Sequence, residues 1–71
     1  MISKIHEVSL KAKKASQGNS TNYLVVEKTN GNIELAFMVQ SIMGLQKENM
    51  TNIAHVLAEY RNGELINTFL A

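Results

Sequence analysis

The chain has 71 residues, 45% hydrophobic and 18% charged, with a formal net charge of +1, which is the balance of a folded domain and not of a disordered tail. It holds no Cys and no Pro, and all of its acids are Glu, which excludes disulfides, thiolate metal sites, polyproline segments and Asp-based catalysis. A single domain of this size buries only about 60% of its unfolded surface and is marginal without a staple or a partner.

No apolar run is long enough for a membrane span, and Lys4, His6 and Glu7 stand where a signal peptide needs its apolar stretch, so the expected location is cytoplasmic with no membrane association. Residues 2–16 place Ile2, Ile5, Val8, Ala12 and Ala15 within one arc of a helix, with Ser9 and Ser16 as small residues on the same side and Leu10 as the exception. Lys4, Lys11 and Lys14 fall on the opposite face, and Lys13 and Lys14 suit the helix C-terminus. Gly18 is the expected C′ residue, and the polar run Gln17 to Asn22 leads into the next element.

Tyr23-Leu24-Val25-Val26 and Ile33 to Val39 flank Thr29-Asn30-Gly31-Asn32, which predicts a β-hairpin with Asn30-Gly31 as a two-residue type I′ loop. That loop pairs Lys28 with Ile33, Val26 with Leu35, Val25 with Ala36, Leu24 with Phe37 and Tyr23 with Met38. One face then carries Leu24, Val26, Ile33, Leu35, Phe37 and Val39, and the other Tyr23, Val25, Ala36 and Met38. Both faces are apolar at the open end, whereas a hairpin wet on one side alternates apolar with polar. The N-terminal helix is expected to cover one face and a second copy of the chain the other, which makes Tyr23, Val25, Ala36 and Met38 the expected oligomer interface.

Beyond the hairpin, Ser41 is read as the cap of a short helix through Ile42, Met43 and Leu45, and Asn49 or Thr51 as the cap of another. Ile53, Val56, Leu57 and Tyr60 have helical spacing, Ala54 and Ala58 support it, and Asn62-Gly63 reads as a C-cap, so a helix over 51–61 is favoured. The rival is a second hairpin about Asn62-Gly63 pairing Arg61 with Glu64, Tyr60 with Leu65, Ala58 with Asn67 and Val56 with Phe69. A weak internal repeat, Leu24-Val25-Val26-Glu27 to Asn30-Gly31 against Val56-Leu57-Ala58-Glu59 to Asn62-Gly63, supports the rival. Leu65 to Leu70 is apolar enough to pack as a strand or an added helical turn. The fold class expected is therefore α+β in one small domain, 1–71, with an N-terminal amphipathic helix, a central hairpin turning at Asn30-Gly31, and a C-terminal helix followed by that last segment.

The chemistry is sparse. His55 and Glu59, four apart, share a face if the segment is helical, but zinc wants three or four ligands and only His6 is left to add. No nucleophile elbow is present, and the isolated glycines form no phosphate-cradling loop, so neither enzymatic activity nor a cofactor is expected. Four Lys and one Glu give the first twenty residues a charge of +3, against −2 for the remainder, and Lys4, Lys11, Lys13 and Lys14 are the candidate nucleic-acid contacts. The leading functional expectation is a non-enzymatic interaction or regulatory protein, homo-oligomeric with a dimer favoured, presenting a surface to a macromolecular partner. Its richness in Asn, Lys and Ile suits an accessory protein of a phage, prophage or low-GC bacterium. The alternative is a nucleic-acid-binding regulator that uses the Lys-rich helix face.

Overall fold

The computed structural model describes residues 4–18 and 21–68; Ile2, Asn19, Ser20, Phe69 and Leu70 of the reading above lie outside them. One helix, α1 (Lys4–Ser16), precedes five strands: β1 (Asn22–Lys28), β2 (Ile33–Ser41), β3 (Gly44–Glu48), β4 (Ile53–Arg61) and β5 (Glu64–Thr68). They form an antiparallel sheet in the order β3-β2-β1-β4-β5, with β1 at its centre. No helix among the described residues is long and apolar enough to cross a membrane.

The helix follows its pattern. Val8, Ala12 and Ser16 are buried, Leu10 is half exposed, and Gly18 ends the helix with φ 75°. Val8 and Ala12 pack on Val25 of β1 and Ala58 of β4, with Tyr23, Ile33, Leu35, Leu57 and Tyr60 around them. Burying a Val side chain stabilises by about 1.5–3 kcal/mol, so this small cluster is the main apolar tie between helix and sheet.

The central hairpin exists, but its loop is longer by one residue than the type I′ reading requires. The Lys28 N–H donates to Asn32 O (2.8 Å) and the Gly31 N–H to Lys28 O (2.9 Å), so Thr29, Asn30 and Gly31 make a three-residue loop. Only Gly31 has positive φ there, 89°. The register accordingly moves by one: Tyr23 faces Phe37, Leu24 faces Ala36, Val25 faces Leu35 and Asn22 faces Met38. A one-residue slip exchanges faces on one strand relative to the other. Tyr23, Val25, Ile33, Leu35 and Phe37 therefore share the helix side, while Leu24, Val26, Glu34, Ala36 and Met38 share the opposite side.

The expected C-terminal helix over 51–61 is overturned, because that segment is β4, and with β5 it forms the rival hairpin. Asn62 and Gly63 take φ 52° and 80°, both positive as a type I′ loop demands, and Arg61–Glu64 and Tyr60–Leu65 pair as that reading has it. Ile66 is then an extra residue, so Glu59 meets Asn67 and Ala58 meets Thr68. The short helix read through Ile42, Met43 and Leu45 is likewise replaced, by a turn at Ile42-Met43 and the strand β3.

Residues 49–52 carry the chain from β3 past β2 and β1 to β4. Asn49 and Asn52 make this crossing with φ 61° and 57°, a region Asn tolerates better than most residues. Asn49 Nδ2 donates to Glu34 Oε1 and to Leu35 O, both at 2.9 Å, and Lys28 Nζ donates to Asn49 O (2.7 Å) and Thr51 O. Glu34 sits opposite Val26, so the crossing lies over the end of the sheet face that α1 leaves open. Val26 and Ala36, buried on that face, belong to the part of the fold it helps close.

Candidate interaction surfaces

The first surface is an arm. Asn22 pairs with Met38 at the last rung between β1 and β2, yet β2 continues to Ser41 with β3 as its partner. Residues 39–46 thus leave the sheet as a two-stranded ribbon, about 10 Å of β2 beyond its neighbour at the usual rise per residue. At its tip Ile42 is 103% exposed and Met43 83%, and Met38 and Leu45, about half exposed, share the face away from α1. Sequence reading missed this because it placed Ile42 and Met43 in a helix. The signal that finds it is Gly44, whose φ of 109° suits the end of a tight turn and not a helix interior.

The second surface is a groove of about 430 Å³ between α1 and the β4–β5 hairpin. His6, Ser9, Leu10 and Lys13 form the helix wall, and Tyr60, Gly63, Glu64 and Leu65 the other. Its end is fixed by hydrogen bonds. The Gly63 N–H donates to Ser16 Oγ (3.0 Å), Ser16 Oγ donates to Lys13 O (3.1 Å), and the Gly18 N–H donates to Asn62 Oδ1 (3.3 Å). The helix C-terminus and the Asn62-Gly63 turn are therefore clipped together while the groove beside them stays open.

A third hollow, about 410 Å³ and polar, is lined by Lys28, Glu34, Asn49 and their neighbours. Lys28 is only 7% exposed, and its ammonium and the Asn49 amide are committed to the crossing segment. We read it as structural.

The residues expected at an oligomer interface are divided by the register. Tyr23 and Val25 lie on the helix side, where Val25 is in the core and the Tyr23 ring stacks at a tilt on Phe37 with centroids 5.4 Å apart. Ala36 is buried on the opposite side, and Met38 alone is exposed. The lysines divide as well. Lys4 and Lys11 lie on either side of Glu7, each 3.9 Å from its carboxylate, so an acid interrupts the basic stripe that continues to Lys14. Lys13 faces the groove instead.

His55 and Glu59 sit on a strand with separate partners: His55 Nε2 is 3.9 Å from Glu27 Oε1, and Glu59 accepts from Asn22 and Asn67. Among the described residues no group of three or more His, Cys, Asp or Glu is placed to hold a metal ion. Comparison of the chain with protein-family models, with curated proteins and with solved structures finds no match.

Proposed function

We propose that this is a cytoplasmic, non-enzymatic interaction protein that acts as a homo-oligomer and presents a surface to a macromolecular partner. The observation that carries the reading is the arm: two large apolar residues at a tip, Ile42 and Met43, exposed almost completely in a chain whose core is itself small. Single exposed apolar residues are ordinary, but a concentration of them on a projecting element marks a contact site. The nucleic-acid reading has less behind it, because Glu7 divides the lysine stripe and phosphate binding needs uninterrupted cations. Sedimentation at micromolar protein tests the proposal, the expected result being an oligomer whose melting temperature rises with protein concentration. A monomer with a concentration-independent melting temperature refutes it.

A further inference from the structure

Resting on the homo-oligomer reading, we infer that the arm tip of one copy seats in the α1/β4–β5 groove of a second copy, reciprocally, across a two-fold axis perpendicular to the sheet. The registers carry this. Tyr23 pairs with Phe37 on one side and with Tyr60 on the other, so the Ile42-Met43 turn and the Asn62-Gly63 turn project from the same end of the sheet. The strand order sets them at opposite edges, the β2–β3 ribbon lying three strand spacings, about 14 Å, from the β4–β5 hairpin. A two-fold axis along the sheet normal at that end exchanges the edges and turns the two ends toward each other. Each arm then arrives where the other copy has its groove, and the contact closes after two chains.

The surfaces match in kind. The tip offers Ile42 and Met43, an unbranched, adaptable side chain beside a branched one, with no charge between Ser41 and Gln46. The groove offers Leu10 and Leu65, about half exposed, with Lys13 and Glu64 as a rim of both signs. That is the plan of an interface, an apolar centre with a polar edge. A ribbon paired only with itself is marginal in water, so the arm gains order from being seated. The absence of cations at the tip argues against nucleic acid or an anionic bilayer as its occupant.

The chain has no Cys, so introduced thiols report the contact directly. Under oxidation, Met43→Cys chains mixed with Leu10→Cys chains are expected to give a mixed covalent dimer, and the chain bearing both changes a covalent dimer with no ladder above it. The double variant Ile42→Ser with Met43→Ser, altered only at exposed positions, is expected to sediment at the chain mass of 7.9 kDa where the parent sediments at twice that. A ladder of higher multimers overturns the two-fold exchange. A dimer that survives the serine changes overturns the arm contact but leaves the homo-oligomer standing, whereas a monomeric parent removes both. Flotation of the parent with phosphatidylcholine vesicles, lost in the serine variant, overturns the inference by giving the tip a lipid surface.

Discussion

Asn30-Gly31 and Asn62-Gly63 are the same dipeptide at the tips of two hairpins, and the chain bends differently at each. At Asn62-Gly63 both residues take positive φ and two residues suffice to reverse the chain. At Asn30-Gly31 only the glycine does, and Thr29 joins the loop. Their surroundings differ too. Asn62 and Gly63 are bonded to Gly18 and Ser16 at the helix C-terminus, whereas Asn30 turns its side chain on its own loop, Oδ1 accepting from the Asn32 N–H at 3.0 Å. An Asn-Gly pair therefore announces a reversal, while the flanking strands and tertiary contacts decide the loop length and with it the register.

Substitution at the two glycines breaks this comparison most severely. Gly63→Val combines an unfavourable φ for a β-branched residue with a Cβ only 2.7 Å from Gln17 Cγ, and we expect a loss of about 3 kcal/mol by chemical denaturation. Gly31→Val meets no atom within 4 Å, so backbone strain alone acts and the expected loss is about 2 kcal/mol. An equal melting-temperature drop for both would show that docking on the helix adds nothing at Gly63.

Smaller changes sharpen it. Ser16→Ala leaves the Gly63 N–H without its acceptor in a partly buried place, an expected loss of about 1–2 kcal/mol together with faster amide exchange at Gly63 and none at Gly31. Asn30→Ala removes one bond within an exposed loop and is expected to lower stability by about 0.5 kcal/mol, a shift of a few degrees in melting temperature. An Asn30→Ala loss matching that of Ser16→Ala would mean that the open loop is held as firmly as the docked one.

The helix α1 was legible because its one-sided apolar arc needs no tertiary information, and Val8 and Ala12 are buried as the arc requires. The central hairpin was legible as a hairpin but not in register, since the sequence does not distinguish a two-residue from a three-residue loop around the same Asn-Gly. β4 was misread for a specific reason. Between Val56, opposite Val26, and Ala58, opposite Val25, Leu57 is an extra residue; Ala54 is another between Ile53, opposite Lys28, and His55, opposite Glu27. These two bulges break the alternation of a strand and leave Ile53, Val56, Leu57 and Tyr60 at helical spacing. The arm and the groove were illegible because both are created by the sheet order, which joins segments far apart in the chain.

That order also governs how the chain reaches its native state. The β1–β2 and β4–β5 ladders close through tight turns and ask little of the chain, whereas the ladder at the centre of the sheet joins residues 22–28 to 53–61, and the Ser16–Gly63 bond spans 47 positions. Pairing over such separations gives up loop entropy before any contact rewards it. The two hairpins should therefore be present early, with the β1–β4 seam as the rate-limiting event. Stopped-flow refolding can check this: Ala58→Gly, at the seam, should slow folding, while Asn30→Ala should leave the folding rate nearly unchanged and act on unfolding.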